Sequence, residues 1–136
     1  MKRLLVVVEL SARTQALCSE VQRRAEQELV EVFVLCPCFS PAPLRQLRRA
    51  GRFWQEAHAR LDALLQELCE LGIVADGIVS EAAAPEAIAG LAPSFAPSEV
   101  LIAMRGRGQR YRRRLELALA ARAGDVPAPA ISWCSS

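Results

Sequence analysis

A chain of 136 residues, 52% hydrophobic and 24% charged, suffices for one domain with one sizeable core and is too short for two comfortable ones. The net charge of +2 points to no partner class by itself, yet residues 53–99 sum to −7 and residues 100–122 to +6, so the two stretches could attract one another within a fold or between subunits. Five cysteines without disulfide-framework spacing, an N-terminal apolar run that stops at Glu9, and no run near the roughly 20 residues of a membrane helix lead us to expect a soluble cytoplasmic protein with no signal peptide and no membrane span.

In chain order, residues 3–9 carry Leu4, Leu5, Val6, Val7 and Val8 without alternation, the pattern of a central parallel strand covered on both faces. Ser11 can cap a following helix, whose apolar positions Ala16, Leu17, Val21 and Ala25, with Cys18, recur at helical spacing to about Glu28. Val30, Val32, Phe33, Val34 and Leu35 predict a second strand, ended by Cys36 and Pro37. The segment 36–43, with three prolines, predicts a loop.

Residues 44–71 predict a long helix burying Leu47, Trp54, Ala57, Leu61, Leu64, Leu65, Leu68 and Leu71, with a break at Gly51 and a stop at Gly72. A third strand is expected over 73–81 and a short helix over 84–95, with Pro85 in its first turn. Residues 100–104 predict a fourth strand. A basic turn follows, then a helix through Leu115, Ala118, Leu119 and Arg122 that ends at Gly124. Pro129, Ala130, Ile131, Ser132 and Trp133 predict a short edge strand. Five alternations of strand and helix imply an α/β Rossmann-like three-layer sandwich: a five-stranded mostly parallel sheet with about four helices, one domain over residues 1–136.

The stretch 99–114, EVLIAMRGRGQRYRRR, carries the strongest functional signal. A strand runs into a turn with Gly106 and Gly108 and then into a helix start, an arrangement that presents free backbone N–H groups to an anion. Arginines at 105, 107, 110, 112, 113 and 114 surround it with positive charge. A solvated helix face or a subunit contact accounts for such a charge run equally well, and base rates favour that reading.

Cys36 and Cys38 have no second Cys or His pair at metal-ligand spacing, and His58 has no neighbouring nucleophile. No catalytic or metal constellation is recognised, so hydrolytic catalysis has no positive support. Trp54 and Trp133 suit core or interface anchors.

RLLVVVELS at the first strand, the long second helix, LIAMRGRG at the fourth strand and VPAPAISW at the last together resemble the universal stress protein family, of the adenine-nucleotide α-hydrolase-like group. The resemblance covers nearly the whole chain in element order. It implies an adenosine and phosphate site from Glu9, Ser11, Leu35, Arg105, Gly106, Gly108, Gln109 and Arg110, and a homodimer joined through residues 129–133, Pro129 to Trp133.

ATP-holding members of that family resemble one another in a loop of Gly, two residues, Gly, nine residues, then Gly followed by Ser or Thr. Here the final pair falls on Glu116-Leu117 counted from Gly106, or on Ala118-Leu119 counted from Gly108, and Glu9 stands where the family has Asp. The expected cofactor is therefore none held firmly, with ATP, AMP or an inorganic anion as the chemistry the site would take. Three functions fit: a regulatory or interaction protein of the universal stress type without firm ATP binding, which needs the fewest assumptions; a stress-response protein that holds ATP or AMP in an arginine-rich phosphate loop; or a binder of an acidic partner or nucleic acid through residues 105–114, with nucleic acid the less favoured of these.

Overall fold

The computed structural model describes residues 1–9, 14–37, 50–81, 84–104, 109–122 and 129–135. Its elements run β1 (Lys2–Val8), α1 (Thr14–Gln27), β2 (Val30–Pro37), α2 (Ala50–Glu70), β3 (Ala75–Ser80), α3 (Ala84–Phe95), β4 (Glu99–Met104), α4 (Gln109–Arg122) and β5 (Ala130–Ser135). The five strands form one sheet in the order β3-β2-β1-β4-β5, with every neighbouring pair parallel.

β1 lies at the centre because its run from Leu4 to Val8 can be buried on both faces at once, and each of those residues is fully buried. Alternation splits the core in two. Leu4, Val6 and Val8 join Leu17 and Val21 of α1 and Ala57, Leu61, Leu64 and Leu68 of α2 on one face. Leu5 and Val7 join Leu35, Ile88 of α3, Ile102 and Leu115 of α4 on the other.

Several expectations need correction. The strand β2 continues through Cys36 to Pro37, which pairs with Ser80; a proline is tolerated at a strand end, where the next ladder bond is not needed. The described part of helix α2 begins at Ala50, so the expected break at Gly51 falls at the border of the described residues. Leu71 is 41% exposed in the turn after α2, not on the buried stripe, because the chain leaves the helix at Gly72, whose φ is +79°. The last strand extends two residues beyond Trp133, to Ser135. Residues 44–49 of the expected helix, Ser11 and Cys38 lie outside the described residues.

The charge asymmetry of the sequence becomes a geometric one. α2 packs over β2 and β3, at one edge of the sheet, while α4 lies on the opposite face beside α3 and adjoins Trp133 of β5, the other edge. Among the described residues no helix is long and apolar enough to cross a membrane.

Candidate functional site

In a parallel sheet a ligand crevice opens where the strand order reverses direction, outside the carboxyl ends of the strands. Here that point lies between β1 and β4, since β1 connects through α1 toward β2 on one side and β4 leads to β5 on the other. The Glu9 backbone N–H donates to the Ala103 carbonyl at 3.0 Å, which holds the end of β1 against β4. The side chain of Glu9 is half-buried and engaged in an interaction. The first turns of α1 and α4 stand beyond these strand ends.

Of the residues expected at the site, Arg105, Gly106 and Gly108 lie outside the described residues, as does Ser11. Gln109 and Arg110 form the first turn of α4. Leu35 is fully buried, paired in register with Val7 and Ile78 and packed in the cluster that holds Ile88 and Leu115.

Arg112 was not among the expected site residues. It lies three residues before the buried Leu115, on the helix face turned to the sheet. Its guanidinium carbon stands 4.8 Å from the centroid of the Trp133 ring, a cation–π contact that fixes the side chain over β5. Among the described residues its Nε is buried with no hydrogen-bond partner. A signal was present in the sequence: Arg112 and Leu115 share a helical face, so one of the six arginines had to point inward.

At the opposite end of the sheet lies a second polar cluster that sequence reasoning missed. Glu99 opens β4 and accepts a bidentate pair from Arg24 of α1, with Nε to Oε1 at 2.7 Å and Nη2 to Oε2 at 3.0 Å. Ser132 of β5 donates its hydroxyl to Oε2 at 2.6 Å, and Lys2 Nζ of β1 lies 2.9 Å from Oε1. Arg24 also donates to the carboxylate and carbonyl of Glu20 one turn earlier.

Both partners are buried, Arg24 to 8% exposure and Glu99 to 7%. Arg24's hydrogen bonds hold the Glu99 carboxyl at about 2, outweighing the desolvation that opposes ionisation, with Ser132 and Lys2 helping. The same pairing raises Arg24, which stays charged. Glu99, summed above with the acidic stretch 53–99, is thus a buried, paired clamp joining α1, β1, β4 and β5. Its signature was an acid heading the otherwise apolar VLIAM, and an arginine on the stripe of Leu17 and Val21.

Chemically, this clamp is inert. Each carboxylate oxygen is already satisfied and no cavity-facing donor is left over. Cys18 is similarly quiet: it donates to Glu67 at 3.0 Å, and burial with that carboxylate pushes its thiol up to about 12. No group of His, Cys, Asp and Glu able to hold a metal occurs among the described residues.

No protein-family model matches the chain, and no curated protein sequence matches it. Solved structures do. The hypothetical protein MJ0577, the subject of a structure-based assignment of biochemical function, superposes with a TM-score of 0.68 over 99% of this chain and 96% of its own, at 13% identity. The universal stress protein of Archaeoglobus fulgidus gives 0.63 over 98% and 95%, at 14% identity. The fold is that of the universal stress proteins. A further neighbour of this fold, from Arabidopsis thaliana and solved with AMP bound, gives 0.60 over 99% and 92%, at 11% identity. At such identities the universal stress protein likeness concerns the backbone alone, and the chemistry of the site rests on this chain's own residues.

Proposed function

We propose that this chain, as one domain over residues 1–136, is a cytoplasmic regulatory or interaction protein of the universal stress type that does not hold ATP firmly. The observation that carries the reading is the position of α4. Four residues separate the end of β4 at Met104 from the helix start at Gln109, and α4 then runs unbroken through residues 116 and 117. A phosphate loop of the spacing described above needs its closing Gly-Ser or Gly-Thr at a backbone turn, where N–H groups are free. Glu116 and Leu117 instead sit inside a helix, exposed, with their N–H groups within the helical ladder. Glu9 adds a carboxylate near the same crevice.

What remains suits a small anion. Gln109 and Arg110 begin α4, whose dipole favours negative charge, and the arginines beside it supply the field. Inorganic phosphate or an acidic side chain of a partner matches this chemistry without a closing Gly-Ser pair. A homodimer through β5 belongs to the same reading. Its outer edge meets no other strand among the described residues, and antiparallel pairing about a two-fold axis would satisfy that row of backbone groups.

The experiment is release of whatever the purified protein carries. Heat-denatured protein, cleared of precipitate and chromatographed for adenine nucleotides, is expected to yield far less than one nucleotide per chain. A stoichiometric yield of ATP, ADP or AMP overturns the proposal.

A further inference from the structure

Among the described residues, one strand face in this fold has no helix over it. Each face of the five-stranded sheet receives two helices, α1 and α2 on one, α3 and α4 on the other. α2 covers the inner side of β3, where Ala75 and Val79 pack against the core and Gly77 lies so close that an added Cβ would meet Leu61 Cδ1 at 2.6 Å. On the other side, α3 packs against β2. The alternate residues there are left in solvent: Val74 is 88% exposed, Asp76 is exposed, and Ile78 is 42% exposed. An apolar, acidic, apolar stripe therefore lies along an edge strand.

The outward face of α4 is its complement. Arg113 and Arg114 are exposed and flank Leu117, which is 60% exposed, at helical spacings of four and three. Among the described residues no ion pair or side-chain hydrogen bond reaches Asp76, Arg113 or Arg114. The two surfaces cannot meet within one chain. β3 and β5 are the two borders of the sheet, four strand spacings or roughly 19 Å apart, with α4 near the β5 border.

We propose that the outward face of α4 in one molecule docks on the open face of β3 in a second copy, Leu117 against Val74 and Ile78, with Arg113 and Arg114 against Asp76. Helix on sheet is the layer packing the rest of the fold already uses, so the second copy supplies the missing layer. Because the two surfaces differ, the contact is head to tail and repeats from molecule to molecule, unlike a two-fold pairing through β5. It depends neither on nucleotide nor on β5. Its charge complementarity makes it salt-sensitive.

The test is sedimentation velocity of the full chain over a concentration series at about 30 mM and about 500 mM salt, where screening lengths differ several-fold. Two charge-reversed proteins are run beside wild type: Arg113→Glu with Arg114→Glu, and Asp76→Lys. All three positions are exposed, and circular dichroism melts verify folding. Wild type is expected to grow in mass with concentration at low salt and to stop growing at high salt. Each reversed protein alone should associate at least about tenfold more weakly. An equimolar mixture should recover the growth, since the acidic α4 of one then faces the basic β3 of the other. Wild type that shows no salt-dependent growth, reversed proteins that associate as wild type does, or a mixture no larger than its parts overturns the contact.

Discussion

Replacing Glu99 by Gln keeps the shape of the buried clamp and removes its negative charge, leaving Arg24, 8% exposed, with the more exposed Glu20 carboxylate at 2.8 Å as its remaining counter-charge. Breaking one side of a buried ion pair costs about 3–5 kcal/mol, because the remaining charge stays desolvated. The carboxyl's own titration gives a second route to that magnitude: its drop from 4.5 to about 2 corresponds to about 3 kcal/mol. That stability is present above the unfolded carboxyl's value near 4.5 and is lost as pH falls toward about 2, since protonation dissolves the pairing. Urea unfolding followed by circular dichroism at neutral pH should therefore show Glu99→Gln less stable by about 3–5 kcal/mol, with a midpoint temperature lower by roughly 10–20 °C. Between pH 5 and 2 the variant's stability should fall less than that of wild type, because the group responsible has been removed. The double replacement Arg24→Met with Glu99→Leu, which removes both charges, should return to within about 1 kcal/mol of wild type. A loss below about 1 kcal/mol in Glu99→Gln, or a double variant no better than the single, refutes the account of the clamp.

Gly77→Ala should destabilise by about 1–3 kcal/mol in the same assay, since its Cβ would stand 2.6 Å from Leu61 Cδ1 and 2.7 Å from the Val34 carbonyl oxygen. Ala96, just after α3, has φ of 49°, so Ala96→Gly should stabilise by about 1 kcal/mol, and an unchanged or lower midpoint would contradict that strain. Among the described cysteines, Cys69 should alkylate fastest under native conditions at pH 8 by peptide mass mapping, with Cys18 slow because its thiol is held at about 12. If β5 joins two copies, light scattering on wild type should give a dimer at tens of micromolar, and Ile131→Lys should weaken it; a monomeric wild type counts against that interface.

The fold was legible because its signals are dense and redundant. The unbroken apolar run of β1, the four-strand repetition of strand and helix before β5, and Gly72 after α2 leave few alternative topologies, and the parallel sheet follows from them. Boundaries were less legible where tertiary contacts decide. β2 carries on through Pro37 because Ser80 is opposite it, and Leu71 is exposed because the turn ends the stripe before it. The Glu99 clamp escaped because its partners lie 75 and 33 residues away, beyond any local pattern. For the crevice, the sequence located a helix start beside glycines and arginines, while the inward turn of Arg112 onto Trp133 required knowing which strand borders α4.

The central claim, that helix α4 replaces a nucleotide's phosphate loop, is tested most directly by calorimetric titration of nucleotide-stripped protein with ATP, with ADP and AMP alongside. We expect no saturable heat in the low-micromolar range for any of the three. A one-site isotherm with low-micromolar affinity for ATP would contradict the claim.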